Sequence, residues 1–113
     1  MKIITEEITI SELKEMSRKM FGNLVKAVVD VEGGIMAIDA ELHADEEALL
    51  LENGSKQENL WGINLYPEMS GDDFVEFDSM INIRPAQNNR SRGVEDEKLQ
   101  KKILEVVDKI VKK

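Results

Sequence analysis

Apolar residues recur at spacings of three and four near the start and end of the chain and alternate between glycines in the middle, and that change of period predicts the elements. Ile3 and Ile4 suggest a short edge strand. Thr9 lies three residues before Glu12, the spacing of a capping box, and Ile8 and Leu13 are placed as its hydrophobic staple. A helix is expected to begin there, with Ile10, Leu13, Met16, Met20 and Phe21 as its inward stripe and Gly22 as its stop. "LVKAVVDVEGGIMAIDAEL" then reads as two β-branched runs hinged on Gly33 and Gly34, hence an antiparallel hairpin.

"ADEEALLLENG" does not alternate and is rich in helix formers, so it predicts a short helix with Asp45 as cap and Gly54 just past its end; the alternative is a hairpin turn at Asn53-Gly54. "LWGINLYP" and "DFVEFDSMINIRP" alternate as strands joined by "EMSGDD". The last twenty residues, "VEDEKLQKKILEVVDKIVKK", carry acids first and lysines last, with Leu99, Ile103, Val106 and Ile110 on one face, the polarity a helix dipole favours. The order predicts one α+β domain over residues 1–113: an antiparallel sheet of four to five strands with about three helices, mostly packed on one face. It also matches the element order of a ferredoxin-like unit, although order does not fix pairing.

Strand alternation sorts side chains by face. With Met36, Ile38, Ala40, Leu42, Trp61, Ile63, Leu65, Val75, Phe77, Ile81 and Ile83 inward, the opposite face would carry Asp39, Glu41, His43, Asn64, Tyr66, Glu76, Asp78, Asn82 and Arg84. Such a face is either washed by solvent or a site.

Composition narrows the chemistry. The 113 residues contain no cysteine, which excludes disulfides and thiolate sites and suits a reducing cytoplasm, and no stretch is apolar enough to span a membrane. Charge is uneven: residues 30–78 hold fourteen acids against the single Lys56, whereas residues 84–113 hold nine bases and five acids. The net charge of −8 makes nucleic-acid binding an unfavourable expectation and suits solubility.

"AIDAELHADEEALLLENGSKQENLWGINLYP" and "EFDSMINIRPAQNNRSRGVEDE" resemble a small prokaryotic single-domain family of unknown function, over nearly the whole chain. The resemblance implies neither activity, nor substrate, nor catalytic residue, so function rests on chemistry.

Three readings follow. Arg84, Asn89, Arg90, Ser91 and Arg92 precede a helix and could bind a small anion through guanidinium forks and free N–H groups; alternatively these arginines pair with Asp78, Glu76, Glu95 or Asp96 and tie the loop to the body. Asp39, Glu41 and Asp78 could hold Mg²⁺ or Mn²⁺ for phosphate-ester or nucleotide hydrolysis if their strands were adjacent, with His43 as added ligand or base; no cofactor is otherwise expected. The third reading is an interaction module, contacting a protein partner or a second copy through the Arg84–Arg92 loop and an open polar sheet face. The sole histidine excludes a multi-histidine zinc site, and no serine sits in a nucleophile motif. Binding is the expected function and metal-dependent hydrolysis the alternative.

Overall fold

The computed structural model describes residues 1–113. In chain order it contains β1 (Lys2–Ile4), β2 (Ile8–Thr9), α1 (Ile10–Lys19), β3 (Val25–Asp30), β4 (Ile35–Ile38), α2 (His43–Glu52), β5 (Leu60–Leu65), β6 (Val75–Glu76), α3 (Glu97–Ile110) and β7 (Val111–Lys112). Five strands form an antiparallel sheet in the order β1-β4-β3-β5-β6, an α+β fold, and β2 pairs in parallel with β7.

Local chemistry explains most boundaries. The Thr9 hydroxyl accepts the Glu12 N–H at 3.1 Å while the Glu12 carboxylate accepts the Thr9 N–H at 3.3 Å, so the capping box closes in both directions. The β3–β4 turn is held by Asp30, whose Oδ1 accepts the N–H groups of Glu32 (3.0 Å) and Gly33 (2.8 Å). Gly34, at φ +67°, takes the left-handed conformation the turn requires. At α3 the cap is Asp96, which accepts the Lys98 N–H at 2.9 Å. The helix ends at Ile110, earlier than its pattern suggests, because Val111 and Lys112 pair with β2.

The main core lies on one sheet face, where Ala27, Val29, Ile38 and Ile63 pack with Leu13 of α1 and Ile103, Val107 and Ile110 of α3. On the other face Val28, Ala37 and Leu60 pack with Leu50 of α2, and Ile81 closes over them. Two helices therefore share one face, as the sequence predicts. The second face is not the open polar surface expected, because α2 and the segment around Ile81 cover it.

Two further expectations are corrected. α2 starts at His43 with Leu42 as a cap lacking any side-chain bond, so Asp45 is a first-turn residue rather than the cap. β4 ends at Ile38, and Asp39 turns the chain with φ +70°, so Asp39, Glu41 and His43 do not alternate along a strand.

The larger correction concerns residues 73–85, where only Val75 and Glu76 are strand and Met80–Asn82 form a 3-10 turn. The cause is an amide that replaces a peptide. Asn82, fully buried, accepts the Gly62 N–H through Oδ1 (2.8 Å) and donates through Nδ2 to the Gly62 carbonyl (2.9 Å). One side chain thus satisfies the β5 edge where a neighbouring strand would otherwise pair. The approach requires a glycine, since a Cβ on Gly62 would lie 2.5 Å from the Ser79 Cβ.

Candidate functional site

Residues 77–84 cross over β5 at Gly62, and this crossing segment and α2 leave between them a cleft of about 450 Å³ at the end of β5. Its lining joins His43 from the first turn of α2, Lys26 from β3, Asn64 and Tyr66 from the end of β5, Glu76 from β6, Asp78, Ser79 and Met80 from the crossing segment, and Arg92. Each arrives for a local reason. Lys26 and Asn64 are register partners on adjacent strands, as are Asn64 and Glu76. Glu76 Oε1 accepts from Asn64 Nδ2 (2.8 Å) and from the Tyr66 hydroxyl (2.9 Å). Burial first, and Glu76 second, push the Tyr66 phenol up, so it stays protonated and donates.

His43 is buried with its Nε2 2.8 Å from the Ile63 carbonyl. Burial pulls its pKa down, outweighing the opposing carbonyl bond, so the ring is neutral at pH 7. A carbonyl can only accept, so Nε2 carries the proton and Nδ1 is left as an acceptor. At the mouth of the cleft, Leu42 and Met80 are exposed apolar side chains.

The five residues expected to bind an anion are brought near one another but mostly spent on structure. Arg84 lies against the body with its side chain 10 % exposed, 4.7 Å from the Trp61 ring centroid, donating to the Gln57 carbonyl (2.8 Å), the Leu60 carbonyl and Glu47 (3.2 Å). Asn89 is buried; its Nδ2 donates to the carbonyls of Asn82 (2.7 Å) and Gly93 (2.8 Å) and its Oδ1 accepts the Glu95 N–H. The backbone N–H groups of Arg90 and Ser91 point at one oxygen of Glu95, at 2.8 and 2.9 Å. These bonds hold the Glu95 carboxyl below the usual carboxylate range, and the chain's own anion fills that position. Arg92 pairs with Asp78 at 2.6 Å. Of the five, Arg92 alone lines the cleft.

The residues proposed to hold a metal are dispersed. Asp39 faces the amino group of Met1 at 3.7 Å, Glu41 is exposed, and Asp78 is engaged by Arg92. No three His, Asp or Glu side chains gather in a group that could hold a metal ion. The adjacency that reading needed is absent because β4 stops before Asp39.

Two residues were missed by sequence reasoning. Glu46 is fully buried in α2 with Oε1 unpartnered, and burial pushes its carboxyl up to about 9. The signal was present: His43, Glu46 and Leu50 fall at spacings of three and four, one helix face, once the helix is known to start at residue 43. Lys26 sits in an apolar run and carried no such signal.

No helix is long and apolar enough to cross a membrane. No curated protein and no solved structure matches this chain. A family pattern covers residues 2–110, and by that match the chain belongs to the family described as a protein of unknown function (DUF5674).

Proposed function

We propose that this domain acts by binding a small organic molecule in the cleft between the start of α2, the end of β5 and the crossing segment. The observation that carries the reading is convergence: polar side chains from six separate stretches meet in one concavity, while exposed Leu42 and Met80 stand at its mouth. A concave site with a few placed polar groups and an apolar border is the usual form of a small-molecule site. Of the Arg84–Arg92 loop, Arg92 belongs to the site, whereas Arg84 and Asn89 are framework.

The test is an amide NMR titration of the full chain with a panel of small molecules: an amino acid, a sugar, a mononucleotide and a primary alkylamine. Saturable shifts gathered at residues 42–44, 63–66 and 76–81 support the reading. Shifts confined to residues 84–92 would return the site to the arginine loop, and silence across the panel at millimolar concentration would overturn binding of this kind.

A further inference from the structure

We infer that the cleft selects a ligand whose head group is rich in N–H donors, a primary ammonium or amino group, over a carboxylate or phosphate; this rests on the cleft being a binding site. Two acceptors without a partner in the chain carry the inference, and the first of them is buried. Asn64 is 6 % exposed, and its Nδ2 donates to Glu76 Oε1 at 2.8 Å and to the Asp78 carbonyl at 3.4 Å. Turning the amide over would set its oxygen against both of those acceptors, so the orientation is fixed. Asn64 Oδ1 is then a buried acceptor with no hydrogen-bond partner.

His43, 7 % exposed, supplies the second acceptor. Its Nε2 is committed to the Ile63 carbonyl, and the chain offers no donor to Nδ1. Because Ile63 precedes Asn64 in β5, both acceptors are anchored at consecutive positions of one strand and line the same cleft. A buried acceptor left unpaired is costly, and a bound N–H group removes that cost where a second anion would add to it.

The charges lining the cleft balance, Lys26 and Arg92 against Glu76 and Asp78, so they do not by themselves favour an anion. Arg92 is paired with Asp78, and the Lys26 ammonium lies 5.2 Å from the Phe21 ring centroid, on the aromatic face. Glu76 is held only by the neutral donors of Asn64 and Tyr66, so its negative charge stands without an ionic partner. The exposed Leu42 and Met80 give an alkyl tail a surface to cover.

The test uses three probes of one chain length, hexylammonium, hexanol and hexanoate, titrated into isotope-labelled full-length protein at neutral pH. Hexylammonium is expected to shift the amides of residues 42–44, 63–66 and 76–81 saturably and about tenfold more tightly than the other two, a difference of ~1.4 kcal/mol. Asn64→Leu should weaken hexylammonium by about tenfold while leaving hexanoate, which has no donor, no weaker than before. The ranking of probes on the unaltered chain needs no variant to fold. Hexanoate binding as tightly as hexylammonium overturns the donor preference and leaves the cleft as a site. Shifts from other members of the broader panel, with none from hexylammonium, do the same; silence from both sets overturns both conclusions.

Discussion

Replacing Glu46 by glutamine is expected to stabilise the protein by an amount that grows with pH. The carboxyl is fully buried in α2, with Oε2 accepting the Ala40 N–H at 3.2 Å and Oε1 unpartnered. Burial raises its pKa from the ordinary 4.5 to about 9, against the Ala40 bond and Lys26, which pull it down. The folded state therefore keeps a proton that the unfolded chain releases. Glu46 leaves stability intact below pH 4.5 and erodes it as pH rises toward 9. Each pH unit in that window costs ~1.4 kcal/mol, so the wild type should lose roughly 2.5 kcal/mol between pH 5 and pH 7. Total stability for a domain of this size is roughly 5–15 kcal/mol, so the effect is large.

Glutamine keeps the shape and removes the charge, at about 1 kcal/mol for an amide donor that gains no partner. The net expectation is no gain near pH 5 and about 2 kcal/mol near pH 7. Urea unfolding followed by the fluorescence of Trp61, the sole tryptophan and 2 % exposed, measures it. His43 works the other way: its lowered pKa costs stability as pH falls below 6.5, but it does so in both proteins and cancels in the difference. A variant-minus-wild-type difference that is flat with pH would refute the reasoning.

Asn82→Ala strips the Gly62 N–H, the Gly62 carbonyl and the Arg92 carbonyl of a buried partner, and should cost about 2–4 kcal/mol, seen as a Tm drop of about 10 °C or more. Arg84→Ala leaves Glu47, with its side chain 14 % exposed, without a counter-charge and uncovers Trp61, so about 3 kcal/mol should be lost. Arg90→Ala, whose side chain makes no bond to the rest of the chain, should stay within about 0.5 kcal/mol; equal melting temperatures for the two arginine variants would remove the distinction between framework and free residue. Gly62→Ala should cost about 1–3 kcal/mol by forcing its new methyl against Ser79, and an unchanged unfolding midpoint in urea would show that the crossing segment yields there.

What could be read from the sequence was whatever local physics decides. The Thr9–Glu12 box, the Gly33-Gly34 turn and the amphipathic stripe of α3 each depend on a few neighbouring residues, and each forms where its pattern lies. The facing of β5 was also legible, since Trp61, Ile63 and Leu65 do share the main core while Asn64 points to the other side. Residues 77–84 could not be read the same way. Their alternation is that of a strand, but Gly62 leaves room for the chain to cross and Asn82 takes the β5 hydrogen bonds in place of a strand backbone. Nothing in residues 77–84 themselves announces a partner twenty residues upstream.

The candidate site lies where those long-range decisions were made. Stopping β4 before Asp39 frees the chain to begin α2 at His43, and starting the helix there puts both the His43 ring and Glu46 on its buried face. Ending β6 after Glu76 lets Asp78 and Ser79 leave the sheet and wall off the end of β5. Local rules and the global fold usually agree, and a place where they part has a cost that something else must offset. Here the cost is visible as a buried, unpartnered Asn64 Oδ1 on the cleft. Keeping that acceptor there is a sacrifice of stability that a ligand with N–H groups would restore.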